Sequence, residues 1–266
     1  MQVFTYWARA QAELTIDGKR TPARFWGGSD LSADDAQRQA LANVVAVQRR
    51  IDSGGKRDDS YTVAIREELL DRISERAVIT RNHYGAHVLN TADRMIFDID
   101  EPPTTLWDLF TRKTPTWQEA RLRQVLTRCH AVLGNPAAGF RLYRTHKGFR
   151  VIVTGPAFRP GDAQAGMIAT RLNTDRLYWQ LCLRQDCYRA RLTPKPFRMK
   201  HRTIKIRLGA AQPSADEIRA WNDSYVSAAR AFSVCTYLFT IGDTTVDRLT
   251  ALHDDYTGAG AGRPLA

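Results

Sequence analysis

Three things are scarce in this chain: cysteine, long apolar runs and acidic charge. Cysteine occurs only four times, as Cys129, Cys182, Cys187 and Cys235. Their spacings resemble no zinc site, and nothing around them points to export, so the chain reads as a reduced, cytosolic protein. The longest uncharged apolar stretch, Ala231 to Gly242, has twelve residues, short of the roughly 20 that a spanning helix needs. Met1 to Trp7 is too short and too weakly basic to read as a signal peptide. These absences argue against a membrane protein and leave partners in solution. Asp and Glu number 28 against 39 Lys and Arg, a net charge of +11. With 43% hydrophobic residues over 266 positions, the chain can bury a core as one large domain or two small ones.

Lysine is rare as well: seven against 32 arginines, so part of the positive balance reflects a general preference for arginine. Where the charge sits is more informative. From Arg189 to Arg207 the chain carries eight cations and no Asp or Glu. Clustered cations repel one another, and phosphate is their commonest partner. A solvated basic face is the alternative.

Residues 1–77 read as an accessory segment. Strands are expected at Val3 to Trp7 and Glu13 to Ile16 before an Asp17-Gly18 turn, then a glycine-punctuated loop from Phe25 to Ser29. Ser32, with Asp35 three residues on, predicts a capped helix bearing Leu41, Val44, Val45, Val47 and Ile51. Ser53 to Ser60 reads as a loop, and Ile65, Leu69, Leu70 and Ile73 predict a second helix from Thr62 to Arg76.

A mixed core over 78–212 follows. Short strands are expected at Val78 to Thr80, Ala86 to Leu89 and Arg94 to Asp98. A helix opened by Thr116 with Glu119 and closed by Gly134 comes next, then a hairpin of Phe140 to Arg144 and Phe149 to Thr154. Helices at about Asp162 to Leu172 and Asp175 to Leu183 precede a strand from Tyr188 to Leu192. Residues 213–257 read as a helical segment, with Ser214 and Glu217 capping one helix to about Ala231 and another from Thr244 to Tyr256. Residues 258–266 read as a flexible tail. The fold class is therefore α/β (α+β): a mixed sheet with antiparallel hairpins between N- and C-terminal helices.

Three features carry chemistry. In the strand Met95-Ile96-Phe97-Asp98-Ile99-Asp100, alternation puts Asp98 and Asp100 on one face and Phe97 and Ile99 on the other. Two carboxylates so placed repel unless a cation such as Mg²⁺ or Mn²⁺ lies between them, although Asp residues at a strand end are also ordinary turn formers. The hairpin turn collects Arg144, Thr145, His146, Lys147 and Arg150 around Gly148, enough donors for a polyphosphate. The strand Tyr188-Arg189-Ala190-Arg191-Leu192, followed by Lys195, aims two guanidinium groups from one face.

In chain order these pieces resemble the archaeo-eukaryotic primase superfamily, over about Val78 to Pro196. The apolar strand ending Asp98-Ile99-Asp100 is similar to its first motif, the Thr145 to Arg150 turn to its second, and Asp175 with Tyr178, Arg189, Arg191 and Lys195 to its third. The resemblance implies a primase-polymerase fold and template-dependent nucleotidyl transfer. It implies Mg²⁺ or Mn²⁺ held by Asp98, Asp100 and Asp175. The nucleoside triphosphate would be held by Arg144, Thr145, His146, Lys147, Arg150, Arg189, Arg191 and Lys195. Arg198, Lys200, Arg202, Lys205 and Arg207 would contact a DNA or RNA template. One departure stands out: the family places a histidine in the strand after the glycine turn, where this chain has Arg150 and carries His146 in the turn. The histidine has moved, or Arg150 replaces it, or the chain is a catalytically inactive primase-like nucleic-acid-binding protein. Asp175 reads equally as the cap of the helix that follows it. A phosphatase built on Asp-x-Asp would start the chain with that strand, and 97 residues precede Asp98 here. A sugar transferase would not need so many cations.

Overall fold

The computed structural model describes residues 1–54, 63–100, 115–132, 139–208 and 213–266. The fold is mixed α/β, with ten strands in three antiparallel sheets and six α-helices among the described residues. The first sheet is a hairpin of β1 (Tyr6–Ile16) and β2 (Lys19–Ser29). It turns at Asp17 and Gly18, whose φ angles of 49° and 75° are those a tight two-residue hairpin turn demands. The two expected short strands are thus one strand, and the expected loop from Phe25 to Ser29 is the end of β2. Gly27 there accommodates a helix instead of a turn. A Cβ at Gly27 would overlap the carbonyl of Ala36 and the amide of Ala40 in α1 (Ala33–Asp52).

Ser32 caps α1 by accepting from the Asp35 amide at 3.1 Å. The helix buries Ala36 and Ala40 against the hairpin, whereas Leu41 and Val45 of the expected apolar face are 52% and 49% exposed. The flat hairpin and its glycine select small residues at this contact.

The second sheet runs β3 (Glu68–Ser74), β4 (Ala77–Arg81), β5 (His87–Thr91) and β9 (Tyr188–Arg191). Its first strand corrects the helix expected from Thr62 to Arg76, of which Thr62 lies outside the described residues. Ile65, Leu69, Leu70 and Ile73 fit helical spacing, but Ile65 bridges Val3, and Leu69 and Arg72 pair with Thr80 and Val78. Pairing to an available edge overrides the local pattern.

The third sheet runs β10 (Cys235–Gly242), β7 (Gly139–Thr145), β8 (Gly148–Thr154) and β6 (Ile96–Asp100). Strand β8 is buried along its length. The main core gathers Phe97, Leu142, Val151, Ile152 and Leu172 around it, with Val125 and Cys129 of α2 (Pro115–Val132) and Ile168 and Ala169 of α3 (Ala163–Leu172) packed into it. The expected helix-closing Gly134 and the side chains of Thr116 and Glu119 lie outside what is described. α4 (Arg176–Gln185) and α5 (Ala215–Ala229) begin where Asp175 and Ser214 predict them.

Two expectations for the C-terminal part change. Much of the apolar run after Ala231 is strand β10, which completes the central sheet by pairing with β7. Only α6 (Arg248–Thr257) follows it as a helix. The expected flexible tail is docked: Ser233 donates its amide to the Pro264 carbonyl at 2.9 Å and accepts from the Ala266 amide at 3.0 Å, and Ala266 is buried. All four cysteines are buried free thiols. Among the described residues no helix is long and apolar enough to cross a membrane.

Candidate functional site

Strands β6 and β9 are each the last strand of their sheet, and parts of them approach within 8 Å. The Tyr178 hydroxyl ties them, donating to the Ile96 carbonyl at 2.6 Å and accepting from the Arg189 amide at 3.3 Å. Phe97 and Tyr188 meet edge to face with centroids 5.6 Å apart. Asp98 and Asp100 project from one side of this seam and Arg189 and Arg191 from the other, into a groove of about 960 Å³. The same groove is lined by Thr145, Lys147, Arg150, Lys195 and Arg198. Nine of the residues singled out from the sequence therefore face one space, although they come from two sheets, a hairpin turn and the segment after β9.

Asp98 is opposite Arg150 in the β6–β8 register. Arg150 donates from Nε to Asp98 Oδ1 at 2.7 Å and from Nη2 to Oδ2 at 3.1 Å, a two-point pair. Its Nη1 donates to the Arg191 carbonyl at 3.1 Å and to His253 Nε2 at 3.2 Å. His253 in turn donates from Nδ1 to Asp254 at 3.0 Å, and Asp254 also accepts from the Tyr143 hydroxyl at 2.6 Å and from Arg141 at 2.6 Å. Burial works against the Arg150 charge, but Asp98 more than offsets it and holds the guanidinium above its ordinary range. Burial pushes the His253 imidazole down, assisted by Arg150 and opposed by Asp254, in keeping with a neutral ring that accepts from Arg150.

The other two carboxylates differ. Asp175 caps α4, its side chain accepting from the Tyr178 amide at 2.6 Å, and its own amide donates to the Asp98 carbonyl at 2.9 Å. Asp100 is exposed, and its side chain takes part in no hydrogen bond or ion pair among the described residues. Burial, then Asp175 and Asp98, raise its pKa, with Lys195 and Lys147 opposing. A divalent ion needs carboxylate oxygens free to turn toward it. Of the three carboxylates, Asp98 is paired with a guanidinium and Asp175 accepts from a helix-terminus amide through one oxygen, whereas the Asp100 side chain has no such partner among the described residues. No group of three His, Cys, Asp or Glu among the described residues is placed to hold a metal.

The cations divide into two sets. Arg189 is compensated inside the fold: it donates to Glu67 at 2.6 Å and to Gln185 at 2.6 Å. Lys147, Arg191, Lys195 and Arg198 have no Asp or Glu within ion-pair distance among the described residues. Among the described residues Arg191 reaches only the carbonyl of Thr193 at 3.2 Å and an oxygen of Ala266, the last residue of the sequence, at 3.3 Å. Burial, with Arg150 and Arg198 nearby, pushes its pKa down to about 10. Burial and the charges of Arg191 and Arg198 push Lys195 down to about 8. Such a cluster gains from an incoming anion.

The remaining candidates lie outside the groove. Arg144 stacks over Phe149 at 4.8 Å. His146 is exposed in the turn and donates from Nδ1 to the Leu265 carbonyl at 3.0 Å. Burial lowers its pKa, as do Arg198, Lys147 and Arg191, while the bond to Leu265 opposes. Lys200, Arg202, Lys205 and Arg207 are all exposed, on a segment anchored by buried Ile204 and Ile206 against Trp221 and Tyr225. The Ile206 amide donates to the carbonyl of His83, a groove residue, at 3.0 Å, so this strip begins at the groove edge.

Residues not singled out from the sequence complete the picture. His253 and Asp254 fix Arg150; the signal was a C-terminal helix whose buried face, Thr250, His253 and Thr257, is polar. Trp7, Trp26, Arg66 and Tyr84 line the groove from outside the motifs, and no local pattern marks them. No protein-family model, curated protein or solved structure matches the chain.

Proposed function

We propose that this chain is a primase-like nucleic-acid-binding protein whose groove takes the phosphates of a single strand or of a nucleoside triphosphate without a divalent metal. The observation that carries the reading is the contrast in the groove. Lys147, Arg191, Lys195 and Arg198 face it with no Asp or Glu partner among the described residues, while Arg150 occupies Asp98. Cations left uncompensated at a concave surface favour a polyanion, and the exposed Lys200, Arg202, Lys205 and Arg207 extend the positive surface from the groove edge.

A second reading, nucleotidyl transfer using Mg²⁺ or Mn²⁺, is favoured by Asp100, which faces the groove close enough to Asp98 and Asp175 for their charges to raise its pKa. One experiment separates the two. Purified protein is mixed with labelled oligonucleotides and nucleoside triphosphates, with Mn²⁺, with Mg²⁺ and with EDTA, and both bound and extended species are read on gels. Binding in all three conditions without extension supports the binding protein; metal-dependent extension that is lost in Asp100→Ala supports the enzyme.

A further inference from the structure

The cationic part of the groove leaves its opposite wall unexplained. That wall comes from the N-terminal hairpin, α1 and the segment leading to β3, and presents Phe4, Trp7, Trp26, Asn43 and Arg66. Trp7 and Phe4 meet edge to face with centroids 5.6 Å apart. The Arg66 guanidinium lies over the Trp26 ring at 4.1 Å and has no Asp or Glu partner among the described residues. Trp7 Nε1 is buried without a hydrogen-bond partner, so this indole packs beneath the wall instead of facing the groove with its donor. Asn43 donates from Nδ2 to the Trp26 carbonyl at 2.8 Å, which helps fix the strand that carries Trp26.

These groups are poor phosphate ligands, Arg66 excepted, and good partners for a flat heterocycle. An aromatic ring or a guanidinium plane stacks on any base. The groove, at about 960 Å³, is at the upper end of what a single small ligand fills, so it has room for a backbone along one wall and bases against the other. Bases in a duplex are stacked on one another and cannot reach such a wall.

We infer that the N-terminal wall of the groove is a base-stacking platform, with Trp26 and Arg66 as its plates, and that the ligand is single-stranded nucleic acid. The inference rests on the proposed phosphate-binding reading and specifies which polyanion the groove takes.

The test compares three labelled probes of equal length by anisotropy at fixed low salt: a thymidine oligonucleotide, an abasic strand with the same number of phosphates, and a duplex. The wild-type protein is expected to bind the thymidine strand about tenfold more tightly than the abasic strand. Trp26→Ala should erase that advantage while leaving the abasic affinity unchanged, and Arg66→Ala, at an exposed position, should reduce it in the same direction. Equal binding of thymidine and abasic strands by the wild type overturns the platform and leaves the phosphate reading standing. A duplex bound as tightly as the thymidine strand also overturns it. Failure of every probe to bind overturns both.

Discussion

Arg189 and Arg191 leave the same strand two residues apart, line the same groove, and are used in opposite ways. Arg189 meets Glu67 and is held above its ordinary pKa against the effect of burial. Arg191 is comparably enclosed, has no acidic partner among the described residues, and is pushed down to about 10. The first arginine holds the second sheet to the segment before β3; the second has no Asp or Glu to hold among the described residues. A cluster of positive charge in a sequence therefore contains two populations, and only the acids contributed by distant segments tell them apart. The same division separates Arg150, paired with Asp98, from Lys147, Lys195 and Arg198.

Stranding a paired cation should have the largest effect. Asp98→Ala leaves the Arg150 guanidinium buried without its carboxylate and should destabilise the fold by about 3 kcal/mol, measured by urea unfolding. Glu67→Ala should act similarly through Arg189. Unchanged midpoints would place these pairs among the ion pairs that contribute nothing. By contrast, removing unpaired cations should leave stability intact and weaken ligand binding. The double substitution Lys195→Ala with Arg198→Ala should cost roughly tenfold in oligonucleotide affinity and flatten the salt slope by about 1.4, with an unfolding midpoint at least as high as the wild type's.

A smaller effect should appear with pH. Lys195 has its pKa lowered to about 8 in the free protein, and a bound phosphate favours its charged form. Affinity should therefore be highest below pH 8 and fall as pH rises through it, and Lys195→Arg should remove that fall. Stability responds with the opposite sign. The unfolded chain holds this proton up to about 10.5, so between the two values the unfolded state binds more protons and stability rises with pH. The smallest effect is at Asp100, whose raised pKa marks a carboxylate held unfavourably. Asp100→Asn should change stability by no more than about 0.5 kcal/mol, in the stabilising direction, and should tighten phosphate binding by removing a negative charge from the cationic end.

The sequence made several local features legible. The Asp98 strand, the hairpin turn at His146 and Lys147, and the helix starts at Ser32, Asp175 and Ser214 all depend on short-range rules of alternation and capping. What stayed hidden is long-range. The segment from Ile65 to Ile73 has helical spacing and becomes a strand because β4 offers an edge. The run after Ala231 becomes β10 because β7 needs a partner. Asp98 and Asp100 look alike in the sequence, as neighbours on one strand face. Only the cross-strand position of Arg150, fixed from behind by His253, distinguishes the carboxylate that is paired from the one that is not.

The groove cations that have no Asp or Glu partner among the described residues are expected to bind nucleic-acid phosphate with no metal between them. The most direct test is anisotropy titration of a labelled single-stranded oligonucleotide at several salt concentrations, each in EDTA and in Mg²⁺. The expected result is binding at low salt that weakens steeply and linearly on a logarithmic salt scale, with no loss of affinity in EDTA. Absence of binding at low salt, or binding that EDTA abolishes, would contradict it.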